Sequence, residues 1–392
     1  MLRSLYSGIS GLRAHQTMLD VTGNNIANVN TTAFKASATQ FQDTLSQMTQ
    51  GAAGPQAAVG GSNPAQVGLG VQVAGITTNF AQGSAQSTGR SRDMMISGDG
   101  YFVTQLGGET LYSRAGSFDF DAEGRLVAPG GALVQGWSAQ NGVINTGTAI
   151  GNITLPLDAV SPARATTTAT VGGNLPSDAA PGTVLVRDVN VYDTSGAARP
   201  VSVTFTRSLT GWDVAAKDGT TTATGSLTFT DGKLDASSTQ TLPLGASMNV
   251  DLTKIEGFAT LNTVSVTGQD GTAAGTLKSY TLGKDGTLVG LFSNGGQVAI
   301  GRIALATFVN PGGLEKAGGS NYRTTVNSGA AEVGQAGTGS LGALSSGQLE
   351  MSNVDLSQEF TNLIVAQRGF QANARIITTS DEVLQELTNL KR

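Results

Sequence analysis

Leu356, Leu363, Phe370, Ile377 and Leu384 recur every seven residues near the C-terminal end of the chain. Phe360, Gln367, Ala374 and Asp381 occupy the alternate position of the same repeat. Side chains so spaced share one helix face, and such a face packs along its length against another helix. Asp355 is placed to cap the free amides, with Gln358 three residues on as in a capping box and Glu359 in the first turn. A helix from about Asp355 to Leu390 is on the order of 50 Å long, far beyond a typical globular helix. The middle of the chain offers it no partner.

The other end does. Leu5, Ile9, Leu12, Leu19 and Ile26 fall on one stripe with helical spacing. These five, with Leu356, Phe360, Leu363, Phe370, Ile377 and Leu384, form the expected helix seam. Gly8, Gly11 and Gly23 weaken the N-terminal helix by roughly 1 kcal/mol each relative to Ala. Both ends are therefore expected to stay largely unfolded in the free chain and to fold on assembly.

Between the ends the pattern turns to strands. Val201, Val203 and Phe205 alternate with Ser202, Thr204 and Thr206, and Leu227 and Phe229 alternate with Thr228 and Thr230. Ser117 to Val127, turning at Ala122-Glu123-Gly124, reads as a hairpin, and Tyr280 to Val289 repeats the pattern around Lys284-Asp285-Gly286. Glycine, 54 of 392 residues, is about twice as common as usual and supplies many turns. The stretch from Ser46 to Gln66 reads as a linker or extended loop.

The expected fold is multidomain α+β. Long N- and C-terminal helices pair in coiled-coil fashion, with mostly antiparallel β domains between them and one β domain inserted in another. The expected boundaries are 1–28 plus 356–392 for the helical domain and 29–66 plus 346–355 for a linker region. An inner β domain takes 67–139 plus 269–345, and an outer β insertion takes 140–268.

Several chemistries are excluded. The chain has no cysteine and one histidine, His15, which removes thiol catalysis, disulfides and any site needing two imidazoles. With 23 basic against 28 acidic residues and no basic block, it lacks the cationic stripe that nucleic-acid binding needs. Asp119, Asp121, Glu123 and Gly124 resemble the start of a calcium loop, but its twelfth position is Gly130 rather than Glu. No catalytic, metal or cofactor-binding residue is expected, and no cofactor. No apolar run approaches a membrane span, and Ser4, Ser7, Gly8 and Arg13 break any signal-peptide core.

Longer motifs go beyond periodicity. Ser7-Gly8-Ile9-Ser10-Gly11-Leu12, Leu19 to Asn28 and Thr32-Ala33-Phe34-Lys35 resemble the N-terminal signature of bacterial flagellar rod and hook proteins. Ser352 to Ser357 and Val365 to Ala374 resemble the matching C-terminal signature. Val67 to Val71, Ser97 to Phe102 and Tyr112 to Gly116 add interior matches.

The resemblance implies a non-enzymatic homopolymer, a tube with terminal helices inside and β domains outside. The insertion looks like the outer domain of hook proteins, which implies a flexible universal joint that passes torque from rod to filament. The stretch around Gly51 to Gln66 is similar to one in rod proteins, so a distal rod protein is the alternative. A secreted adhesin is the rival from another class, but Trp137 and Trp212 stand far apart in the sequence and suggest no aromatic binding cluster.

The implied partners are the rod, hook cap and hook–filament junction proteins and the type III export apparatus, with no nucleic acid and no membrane insertion. The implied location is extracellular, reached without a cleavable signal. Gln358, Asn362, Gln371, Asn373 and Asn389 are expected to face the export channel.

Overall fold

Asp355 begins the C-terminal helix α2 (Leu356–Asn389) by accepting the amides of Ser357 at 2.9 Å and Gln358 at 3.3 Å on its Oδ1. The capping box is half formed, because the Gln358 side chain donates forward to Asn362 Oδ1 at 3.1 Å instead of turning back. The N-terminal helix α1 (Leu2–Ala27) has no acidic residue in its first turn and no basic residue in its last. Packing must therefore supply its stability. The computed structural model describes residues 2–55, 60–140, 142–156, 160–245 and 248–390. Part of the 46–66 stretch and the outermost residues of both terminal segments lie outside them.

After α1 the chain runs as a two-stranded ribbon. Ser37–Asp43 pairs antiparallel with Val71–Thr78, and the pairing resumes between Ser46–Gln50 and Ala65–Gly68. The expected loop thus begins and ends in paired strands. Its described Gly and Pro residues fall between the paired strands, whereas Gln47, Met48 and Gln50 find cross-strand partners that composition does not reveal. Gly70, at φ +131°, must be glycine: a Cβ there would lie 2.2 Å from Ser10 Oγ on α1. That hydroxyl accepts the Val71 amide at 3.2 Å and donates to Ser7 O at 2.8 Å.

The chain divides into two units, one of Met1–Leu155, Leu282–Leu288 and Ala299–Arg392, the other of Pro156–Thr281 and Val289–Val298. In the first unit, Leu133–Gln140 pairs with both Tyr101–Leu106 and Gln297–Thr307. The sheet continues through Glu109–Ser113 and Asn321–Arg323 to Glu315–Gly318. Tyr101, Tyr112, Phe308 and Tyr322 fill its core, with the Tyr112 and Phe308 rings 4.8 Å apart edge to face. Burial pushes the Tyr101 phenol up to about 12 and raises that of Tyr322 as well, so both stay neutral. Asp119–Phe120 pairs with Leu126–Val127 as the hairpin reading expects. Asp121 is occupied in that turn, accepting from the Glu123 and Arg125 amides and from Arg125 Nε.

In the second unit two sheets share a core. Val184–Tyr192, Ala198–Arg207, Trp212–Asp218 and Thr221–Leu227 form an antiparallel four-stranded sheet. In the other sheet Met248–Glu256 runs parallel to Thr168–Asn174 and antiparallel to Thr241–Leu244. Val201, Val203, Phe205 and Trp212 share one core with Val171, Leu242, Val250 and Leu252. The intervening Ser202, Thr204 and Thr206 stay half exposed, which is the period-2 alternation of a sheet with one wet face.

Turn aspartates pin this architecture. Asp193 accepts from the Ser195 hydroxyl at 2.6 Å and from the Ser195 and Ala197 amides, which holds its carboxyl below the usual range. Asp285 is lowered in the same way, first by the Thr287 hydroxyl. A carboxylate depressed in the folded state stabilises it above the unfolded value of about 4, and that contribution fades as pH falls through the folded value. Asp193→Asn is therefore expected to lower stability at pH 7, with a gap from the unmodified chain that closes toward pH 2. Urea unfolding at both pH values reads this, and an unchanged gap would count against it.

Candidate assembly site

The two terminal helices meet at small residues. A Cβ on Gly8 would touch Ile377 at 3.4 Å, and one on Gly11 would meet Asn373 Nδ2 at 2.7 Å. Across from them, a Cβ on Gly369 would meet His15 Nε2 at 2.5 Å. Residue numbers rise on α1 as they fall on α2, so the helices run antiparallel. Ala14 and Ala366 are buried on the same faces. Gly8 and Gly11, which weaken α1 in isolation, are what let α2 approach. One chain thus brings its own two ends into contact.

Below the helices, both connecting strands are bound into one neck. The buried Asn25 side chain accepts Ser37 N at 3.0 Å and donates to Ser37 O at 2.8 Å, copying a strand's pairing. Ala33, wholly buried at φ +57°, donates its amide to Glu350 O at 2.8 Å. Asn353 accepts Ala36 N at 2.8 Å on Oδ1, and its Nδ2 donates to Asn79 O and Ala81 O.

Inside the neck lies a fully buried ion pair. Lys35 Nζ donates to Glu350 Oε1 at 2.6 Å and to Ala81 O at 2.7 Å. Glu350 Oε1 also accepts Gly83 N at 2.9 Å, and Arg114 Nη1 stands 3.6 Å from Oε2. Burial lowers the Lys35 pKa, the Glu350 hydrogen bond and charge oppose that, and Arg114 adds to the lowering. Buried charges of this kind are tolerated only when paired and hydrogen-bonded, and removing one partner strands the other.

The apolar stripe expected to form the seam flanks the helix contact. Leu5, Ile9, Leu12, Leu19 and Ile26 are half buried, as are Leu363, Phe370, Ile377 and Leu384. Leu356 and Phe360 are 40% and 51% exposed. Among the residues expected to face a channel, Asn373 is placed elsewhere: its side chain lies on Gly11 and donates to Gly369 O at 2.9 Å. A glycine opposite leaves room for a polar side chain within the pair, and that explains the correction. Gln358, Gln371 and Asn389 are exposed, and Asn362 is half buried.

Sequence reasoning gave Lys35, Arg114 and Glu350 no role. The available signal was scarcity: with charged residues only 13% of the chain, single charges within uncharged runs are candidates for burial. Among the described residues no group of His, Cys, Asp and Glu is arranged to hold a metal ion. None of the described helices is long and apolar enough to cross a membrane.

Two chain ends closed on each other, with an apolar helix face still uncovered, define a structural class of chain whose termini act as one element. Three family profiles match in order along it. "Flagella basal body rod protein" covers residues 5–35, "Flagellar hook protein FlgE/F/G D1 domain" covers 95–170, and "Flagellar basal body rod FlgEFG protein C-terminal" covers 345–390. The flagellar hook protein FlgE of Borreliella burgdorferi is 40% identical, with 100% of both chains covered. That of Treponema pallidum is 37% identical at the same coverage. The flagellar basal-body rod protein FlgG of Bacillus subtilis is 36% identical, again with 100% of both chains covered. A crystal structure of Helicobacter pylori flagellar hook protein FlgE2 is 14% identical with a TM-score of 0.47, covering 68% of this chain and 100% of that one. The chain belongs to the flagellar hook and rod protein family.

Proposed function

We infer that this chain is a structural subunit of the bacterial flagellar hook. Copies assemble into a flexible tube that carries torque from rod to filament and encloses the export channel. The observation that carries this reading is the full-length likeness to proteins named flagellar hook protein. The uncovered face of α2 supports it: Ile364, Val365, Ile376, Val383 and Leu387 are each between 42% and 54% exposed, which suits burial by neighbouring copies.

In this reading the helices pair as a coiled coil at the tube wall, through Leu5, Ile9, Leu12, Leu19, Ile26, Leu363, Phe370, Ile377 and Leu384. Leu356 and Phe360 face the next copy. Gln358, Asn362, Gln371 and Asn389 line the channel. The outer β domain, about 140–268, is inserted in the inner one, and its neutral Ser/Thr surface suits contacts that slide during bending. The protein works outside the cell, exported through the flagellar type III apparatus. It meets rod, hook-cap and junction proteins at the tube ends.

A distal rod protein is the second reading, favoured by the full-length likeness to the Bacillus subtilis FlgG. Electron microscopy of the chain under mild precipitant separates the two. Curved tubes from the full chain, and none from a chain lacking 1–30 and 351–392, are the expected result. Straight, rigid tubes would favour the rod. A full chain that stays monomeric while nucleated on isolated hook–basal bodies would overturn both.

A further inference from the structure

Lys35 is the one buried lysine among the described residues, and it stands beside a carboxylate in the neck. An amine attacks a carbonyl carbon only when its nitrogen has shed the extra proton. Burial pulls the Lys35 pKa down, Glu350 resists, and Arg114 adds to the fall. Glu350 Oε1, 2.6 Å from Nζ, is placed to take that proton. Its Oε2 is buried and accepts no hydrogen bond, so the carboxyl is uncommitted on that side.

The carbonyl carbon within reach belongs to Asn353. Its Nδ2 donates to Ala81 O at 3.0 Å, and Lys35 Nζ donates to that same oxygen at 2.7 Å. The two nitrogens are therefore no further apart than those two bonds laid end to end. Asn353 Oδ1 already accepts Ala36 N at 2.8 Å. A backbone amide thus sits where negative charge develops when the carbonyl carbon is attacked, as in an oxyanion hole. Because Ala36 follows Lys35, nucleophile and oxyanion donor are held by adjacent residues. A second bond, from Nδ2 to Asn79 O at 2.8 Å, fixes the plane of the amide. Phe80, between these two carbonyl residues, packs on the Tyr101 and Tyr322 rings at 6.4 and 5.5 Å and gives the group an apolar side. Reacting groups held this way need little further ordering.

We propose that Lys35 Nζ becomes bonded to the side-chain carbonyl carbon of Asn353, an isopeptide cross-link formed with loss of ammonia. Glu350 takes the ammonium proton, and the free amine adds to Cγ while Ala36 N holds the oxygen. The Cγ–Nδ2 bond then breaks. Both protons that leave Nζ pass through Glu350 to Nδ2, which departs as an ammonium ion, and Glu350 is a carboxylate again. No oxidant or cofactor is consumed. The ion pair described above is the neck before this step, and without Glu350 the step stops and Lys35 stays an ammonium. Two cations, Lys35 and Arg114, share one buried carboxylate beforehand, and only Arg114 remains afterwards, so the buried charges come into balance. The link ties the strand leaving α1 to the segment entering α2, and it holds whether the chain serves in hook or rod.

The intact mass of the full chain tests this, read on folded protein before and after prolonged incubation. The expected mass is one ammonia below that of the sequence. A tryptic digest is expected to hold a branched peptide in which residues 14–90, uncut after Lys35, are joined to residues 324–368. Lys35→Arg and Asn353→Ala are each expected to restore the full mass and to lose the branched peptide. Glu350→Gln keeps an acceptor for Gly83 and is expected to retain the strand signal in circular dichroism while staying unlinked. A folded Glu350→Gln chain that still forms the link would overturn the relay. An unmodified chain at full sequence mass at both times overturns the proposal. So does a loss of ammonia without the branched peptide, which would place the loss at another side chain.

Discussion

Glu350→Ala is expected to destabilise the first unit by about 3–5 kcal/mol, the usual cost of stranding a buried charge. The Lys35 ammonium loses its 2.6 Å partner and Gly83 N loses its acceptor. Arg114 loses its buried counter-charge and keeps only Asp99, at 3.8 Å. Lys35→Met combined with Glu350→Gln is expected to cost less than Glu350→Ala alone, because the lone ammonium is gone and an acceptor for Gly83 remains. Equilibrium urea unfolding of the three chains measures the order. A Glu350→Ala loss below about 1 kcal/mol would mean that water reaches the pair and that the neck is held by its backbone bonds alone.

Phe370→Asp is expected to abolish tube formation while both β units keep their folds. Phe370 is half buried, next to Gly369 at the closest approach of α2 to His15. A carboxylate there replaces apolar contact with a charge that must stay wet. Because every copy carries the defect, a loss of about 2–3 kcal/mol per subunit raises the polymerisation threshold about 30- to 150-fold. Sedimentation measures polymer, and circular dichroism in the strand region checks the fold. Normal tubes from this variant would remove Phe370 from the assembly face.

The helices, the start of α2 at Asp355 and the hairpin around Asp121 were legible because each depends on neighbours in sequence. The centre of the helix contact was not. Periodicity weighs large apolar residues, so it selected Leu5, Ile9 and Leu12, whereas closest approach needs Gly8, Gly11 and Ala14, which score as helix-weakening or neutral. The ribbon beyond Ser46 escaped because its partner strand begins at Ala65, and pairing at that distance leaves no local periodicity. Lys35 and Glu350 are separated by most of the chain, so nothing in either segment indicates that one neutralises the other. The family signatures took in Asn25, Ala33 and Lys35 without explaining them, and stopped short of Glu350. The explanation is geometric: an asparagine that copies a strand, an alanine forced left-handed, and a lysine that must find its glutamate.

The neck has a mechanical consequence. A helix joined to a sheet by one strand would be a swivel, since rotation about a few φ and ψ bonds lets either end spin freely. Here two strands leave the helix pair, and they are fastened to each other by Ala33 with Glu350, by Ala36 with Asn353 and by the Lys35–Glu350 pair. Two fastened strands cannot turn independently. The joint can still flex across its thin direction, but a twist put in at the helices must come out at the sheet.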